Sequence, residues 1–300
     1  MNRLKTNVLG VEFKSPIIAA SGTYGFGEEY KSYYDPSILG GISSKGLTLN
    51  AKPGNEGVRI WETPSGILNS IGLENLGVEY FCKNILQDMN QLGTNILVNL
   101  GGNTIDEYLK AVEMLNEYDF FAIELNISCP NVKEGGMAFG IEAETSAEVT
   151  GKVRSVTDKN LIVKLSPNAR DIVENAMAVE EAGADGLSLV NTFLGMAVNL
   201  NTGKPVFENV YAGLSGPAIK PIALRMVHQV CKNVNIPVIG MGGITTGTDV
   251  IEFIMAGASL VEVGTANFMN PMAMKNIIDE VEEYLQMKNT TIDEIWRTLI

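Results

Sequence analysis

Residues 126–131, NISCPN, place two amides and one thiol within six positions, directly after the apolar run 121–125, FAIEL. Asn126 and Asn131 can each donate to and accept from the edge of a planar polar ligand. Cys129 offers a group that takes a proton. Its ordinary pKa is about 8.5, and positive charge nearby would lower it. Pro130 fixes the backbone beside it. A cysteine taken alone is most often a small buried apolar residue. This one stands in a polar loop ahead of KEGGMAFG, where Gly135, Gly136, Ala138 and Gly140 are small enough for a mobile flap. Cys82 and Cys231 fall within helical patterns and read as packing residues.

Two glycine-containing turns carry a second chemistry. Gly242-Gly243 and Gly264-Thr265 each follow a short apolar run. Glycine lets backbone N–H groups approach a phosphate. Either pair alone would equally make a tight turn; together they point to phosphate binding. Lys45 and Lys164 end two other runs. A lysine turned inward is costly without an anionic partner. A phosphate joined to a polar conjugated ring meets that demand, and flavin mononucleotide (FMN) is such a ligand. Lysines beside it would stabilise negative charge on its pyrimidine edge. Asn69, Asn99, Asn126, Asn131 and Asn191 could hold ring and substrate. Asparagine is common in turns, so their shared position carries the argument.

These residues need a scaffold that brings distant strand ends together. Eight apolar runs are expected as strands: 16–20, 40–44, 95–99, 121–126, 161–165, 186–190, 236–240 and 260–264. Runs of this length suit parallel strands buried on both faces. Helical patterns alternate with many of them. Thr104 with Glu107, and Thr145 with Glu148, have capping-box spacing. Segments 170–182 and 248–256 stop at Gly183 and Gly257, as helices stop at glycine. The expectation is a (β/α)8 barrel, one domain over 1–300, with catalytic groups on the C-terminal rim. A doubly wound sheet is the rival, but SGTYGFG at 21–27 lacks GxGxxG spacing. Residues 3–14 and 57–70 read as hairpins, turning at Gly10 and at 63–66. Residues 191–215 read as a long loop insertion after the sixth strand, of the kind that serves as a lid.

Composition narrows the function. The net charge of −13 argues against nucleic acid or an anionic membrane as partner. No run approaches the ~20 apolar residues of a membrane span, and the first residues lack the apolar core of a signal peptide. Three widely spaced cysteines without a CxxC pair argue against zinc or an iron–sulfur cluster in this chain, and for a cytoplasmic setting. His228, the only histidine, sits in a helical pattern with no GxSxG elbow elsewhere.

SGTYG at 21–25, SKGLTL at 44–49, NSIGLEN at 69–75, NISCPN with GGMAFG, KLSPN at 164–168, GLSGPAIKPIALRMV at 213–227 and GMGGI at 240–244 resemble the dihydroorotate dehydrogenase family. The resemblance covers nearly the whole chain. It is closest to the NAD-linked type B, whose catalytic chain carries GGMxFG after the cysteine loop. It implies an FMN barrel that oxidises dihydroorotate to orotate in pyrimidine biosynthesis. Cys129 is then the base, and the neighbouring ring carbon gives a hydride to flavin N5. Asn69, Ser70, Ile71, Gly72, Leu73, Asn126, Asn191 and Thr192 match substrate positions, with Lys45 touching both ligands. Ser21, Lys45, Gly46, Asn99, Asn126, Lys164, Val190, Gly216, Gly242, Gly243, Gly264 and Thr265 match flavin positions. The resemblance also implies an electron-transfer partner subunit with FAD and a 2Fe-2S cluster, and a homodimer of this chain within a heterotetramer. MAVNLNTGK at 196–204 departs from the pattern, which would have an acidic residue near Asn199 and a basic one soon after. The alternatives are a fumarate-using dehydrogenase without a partner, a flavin barrel acting on RNA uridine, and a non-catalytic phosphate-binding scaffold subunit.

Overall fold

The computed structural model describes residues 2–128 and 139–300. Eight strands close into a parallel barrel: β1 (Ile17–Ala19), β2 (Gly41–Ser43), β3 (Asn95–Leu100), β4 (Ala122–Asn126), β5 (Asn160–Lys164), β6 (Gly186–Leu189), β7 (Val238–Met241) and β8 (Leu260–Val263). Neighbours follow chain order, and β8 pairs back onto β1. Each expected run overlaps one of these strands.

Strand alternation sorts every barrel residue to one of two faces. Ile96, Val98 and Leu100 of β3, Ile123 and Leu125 of β4, and Leu161 and Val163 of β5 face out and pack into the shell shared with the helices. The alternate positions fill the interior. Ile18, Leu97, Ile162 and Ile239 come from β1, β3, β5 and β7, with Ala122 and Leu260 beside them. The next positions up the even strands are Ser43, Glu124, Ser188 and Glu262, all buried. Layers drawn from alternate strands are the expected filling of an eight-stranded barrel. Here one layer is polar.

The hairpin Thr6–Val8 with Val11–Phe13 turns through Leu9 and Gly10, both at positive φ (52° and 76°), as a two-residue hairpin turn requires. Its Val8 and Phe13 pack against Ile18, Leu97 and Ile162, which closes the N-terminal end of the barrel. The second hairpin, Ile60–Thr63 with Gly66–Asn69, stands at the other end. The insertion after β6 is no plain loop. Phe193–Met196 pairs with Tyr211–Ser215, which pairs with Gly66–Asn69, making one four-stranded antiparallel sheet. Leu68, Phe207 and Ala212 form its small core.

Helices follow most strands, among them Ile105–Leu115, Ala143–Arg154, Ile172–Glu181, Lys220–Cys231, Gly247–Met255 and Ala273–Lys288. Gly183 and Gly257 follow helix ends at φ 98° and 113°. Thr104 caps its helix by accepting from the Glu107 N–H, but Glu107 turns back to the Asn103 N–H instead of closing the box. Thr145 is a correction. The helix already begins at Ala143, and the Thr145 hydroxyl donates to the Phe139 and Glu142 carbonyls at 3.0 Å each. Its three-residue spacing to Glu148 is an ordinary helix-face repeat. Complete capping boxes occur instead at Thr246–Asp249 and Thr291–Glu294.

Candidate active site

A cavity of about 630 Å³ opens at the C-terminal ends of the strands. Ser21 follows β1, Lys45 and Gly46 follow β2, Asn99 lies on β3, Asn126 ends β4 and Lys164 ends β5; all line it. Val190, Asn191 and Thr192 follow β6, Gly242 and Gly243 follow β7, and Gly264 and Thr265 follow β8. The second hairpin and the segment after it bring Asn69, Ser70, Ile71, Gly72 and Leu73, and the end of the insertion brings Gly216. Cys129 and Asn131, with Gly135, Gly136 and Ala138 of the expected flap, lie outside the described residues. The last described residue before them, Ser128, is buried beside the cavity wall.

Lys164 lies on the cavity floor with 7% of its side chain exposed. Its Nζ stands 3.6 Å from Glu124 Oε1 and 3.6 Å from Glu262 Oε2, both carboxylates fully enclosed. The burial of Lys164 is therefore balanced by the protein itself, which corrects the expectation that it needs an anionic ligand for this. Burial pushes Lys164 down, and the two carboxylates more than restore it, so it stays charged. Those carboxylates are the functional residues sequence reasoning passed over. The signal was present: Glu124 and Glu262 are lone charges inside otherwise apolar strand runs, where a charge needs a partner.

Glu124 is well satisfied. It accepts from Ser43 Oγ at 2.7 Å, Asn99 Nδ2 at 2.5 Å and Ser188 Oγ at 2.8 Å. Burial pushes its carboxyl up, but the Lys164 ammonium and these donors outweigh burial and hold it below the usual carboxylate range. As an anion it accepts only, so Asn99 must turn its NH2 downward. The Asn99 carbonyl then receives Asn126 Nδ2 at 3.4 Å, the Asn126 carbonyl receives Ser128 Oγ at 2.7 Å, and Ser128 Oγ receives Asn191 Nδ2. One ionised group thus orients three amides and a hydroxyl up to the rim.

The wall at β7 and β8 is a backbone cradle. Gly242 and Gly243 have φ of 125° and 72°, and a Cβ on them would stand 2.6 Å from the Ala223 Cβ and 2.7 Å from the Lys220 backbone nitrogen. Only glycine fits. Among the described residues, the N–H groups of Gly242, Gly243, Gly264 and Thr265 find no acceptor. They face the cavity, and neighbouring free N–H groups make an anion-binding concavity. Thr265 Oγ1 donates to Ser215 Oγ at 2.9 Å, tying this wall to the four-stranded sheet.

The family profile for dihydroorotate dehydrogenase matches residues 3–285. The chain belongs to the dihydroorotate dehydrogenase family. It is 57% identical over 292 residues to dihydroorotate dehydrogenase B (NAD(+)), catalytic subunit, of Petrotoga mobilis, covering 97% of each chain. The protein of the same name from Brachyspira hyodysenteriae is 53% identical over 96% of each chain, and that from Bacteroides thetaiotaomicron 50% over 95% of each.

Around the mouth, the expected site residues are held less tightly than on the floor. Lys45 is about one third exposed and lies 3.9 Å from Glu74 Oε2, which Arg59 also binds at 2.8 Å. The Ser70 hydroxyl accepts from Asn55 and Asn209, and Asn69 donates to the Gly213 carbonyl at 3.3 Å. Asn55, Asn209 and the overhanging Tyr211 had no motif to mark them; Tyr211 comes in on the sheet, and the two asparagines on loops beside its strands. Cys82 and Cys231 are buried, and burial pushes their thiols up to about 11 and about 12, as suits packing residues. No helix among the described residues is long and apolar enough to cross a membrane.

Proposed function

We propose that this chain oxidises dihydroorotate to orotate with FMN held in the barrel mouth, and passes the electrons through a partner subunit to NAD. The convergence of the expected lysine, amide and glycine positions on one cavity carries this reading. Its fit to FMN rests on the cradle at Gly242, Gly243, Gly264 and Thr265, whose free N–H groups suit a phosphate, and on the charged Lys164 below. When bound, FMN supplies the two-electron acceptor that takes a hydride from the ring.

The chain's own residues do the rest. Lys164 places positive charge where the ring gains negative charge. Asn99 and Asn126, oriented from Glu124, present amide edges to flavin and substrate. Lys45, Asn69, Ser70, Ile71, Gly72, Leu73, Asn191 and Thr192 form the side of the cavity that receives dihydroorotate. Cys129 takes the proton from the ring carbon beside the carbonyl, and the neighbouring carbon gives up its hydride, leaving the new double bond. The four-stranded sheet overhangs the mouth and limits water.

The relatives' names call them catalytic subunits, which supports an electron-transfer partner. We assign FAD and a 2Fe-2S cluster to that partner, and a homodimer of this chain to the core of the assembly. In an anaerobic titration, purified protein loaded with FMN should bleach on adding dihydroorotate. Cys129→Ala should slow bleaching by on the order of a hundredfold or more; wild-type bleaching would remove Cys129 from the mechanism. Protein that takes up no FMN would overturn the proposal. Rapid turnover of the lone chain with fumarate would point to the partner-free alternative.

A further inference from the structure

Ser43, Glu124, Ser188 and Glu262 form one buried layer around Lys164 at the cavity floor, where Glu262 belongs to the lining, and its two acids are treated differently. Glu124 receives three hydrogen bonds. Neither oxygen of Glu262 receives one from any described group, and its nearest cation, Lys164, stands at 3.6 Å. Both side chains are fully enclosed, and they share a single ammonium. An ionised carboxylate without donors, out of water and beside a second carboxylate, is costly. Two carboxyls in one site oppose each other's ionisation, and one of them is raised.

We propose that Glu262 stands as the neutral acid at the cavity floor, sharing its proton toward Glu124, and acts as a positioning residue that leaves the Lys164 charge available to the ligand above. With Glu262 neutral, Glu124 and Lys164 cancel and the layer has no net charge. With Glu262 ionised, the layer would be one unit negative and would repel the negative charge that a reduced ring accumulates. The groups that face Glu262 leave no other outlet. Glu124 approaches from β4 and Lys164 from β5. The other strands offer Ser43, Asn99, Ser188 and Met241, none of which titrates near neutrality. Burial first, and the Glu124 charge second, push the Glu262 carboxyl well above its ordinary range, with Lys164 pulling the other way.

This rests on the flavin reading for its consequence, not for the protonation itself, so the test has two arms. In ligand-free protein, 13C NMR of δ-carboxyl-labelled glutamate would show one acid still protonated at neutral pH. That signal should vanish in Glu262→Gln and persist in a surface control, Glu144→Gln. Infrared absorption of the buried carboxylic C=O would report the same without relying on folding of the variant alone. An ionised Glu262 in wild-type protein at neutral pH overturns the proposal. In FMN-loaded protein, wild type and Glu262→Gln should share one flavin midpoint potential at neutral pH. On raising the pH, the wild-type potential should fall below that of the variant as Glu262 ionises. Parallel curves throughout would overturn the positioning role, while failure to load FMN would count against the flavin reading and leave the first arm standing.

Discussion

The lower and upper halves of the barrel interior share strands, alternation and near-complete burial, yet differ in chemistry. Below, Ile18, Leu97, Ile162 and Ile239 interlock with Val8 and Phe13 of the closing hairpin. Each such side chain contributes about 1.5–3 kcal/mol by leaving water. Above, Ser43, Glu124, Ser188, Glu262 and Lys164 occupy equivalent inward positions and gain nothing from burial as such. Their cost is offset only by one another. The contrast teaches that one end of this barrel is selected for packing and the other for a prescribed arrangement of charge, a division this architecture permits because its active sites gather at the C-terminal face.

The sharpest way to break the contrast is Lys164→Met. It leaves two enclosed acids without a cation, and stability should fall by about 3–5 kcal/mol, with FMN uptake lost. Denaturant midpoints and flavin titration would check this. A variant of wild-type stability would mean that neither acid is ionised. Leu97→Ala tests the other half. A buried leucine truncated to alanine costs about 2–5 kcal/mol, but the folded fraction should still take up FMN in full; equal loss of FMN would show that the halves are not separable.

The smallest effect is a pH dependence. Glu262 has a raised pKa in the folded state, so its contribution to stability is complete below about pH 4.3, the ordinary glutamate value. It is lost as pH rises toward the folded value. Glu262→Gln should therefore gain on wild type with increasing pH, by at most about 1.4 kcal/mol per pH unit. Glu124 runs the other way: its pKa is lowered, so its contribution is present at neutral pH and fades on acidification. A difference between wild type and Glu262→Gln that does not change with pH would place the proton elsewhere.

The eight strands were legible because continuous apolar runs have few other uses in a chain of this length. The rim residues were legible because each run ends abruptly in glycine, amide or lysine. Thr145 misled because a threonine three residues before a glutamate recurs on any helix face, and spacing alone does not say which residue is first in the helix. The insertion 191–215 reads as a loop in sequence because the strand Tyr211–Ser215, which joins it to a sheet, pairs with residues 67–69, more than a hundred positions earlier. The burial of Lys164 points to an anionic ligand in the sequence alone because its carboxylate partners, on β4 and β8, are remote in sequence. For the insertion and for Lys164, what was missing was a contact across the chain, which local pattern does not encode.

The run of bonds from Glu124 through Asn99, Asn126 and Ser128 to Asn191 has a direction: every donor points down toward the carboxylate. The rim's recognition face is therefore inherited from two storeys below. Redesigning what the mouth accepts, by exchanging Asn191 or Asn126 alone, would leave a neighbour with its polarity reversed. A workable redesign must start at the foundation acid and rewrite the whole column.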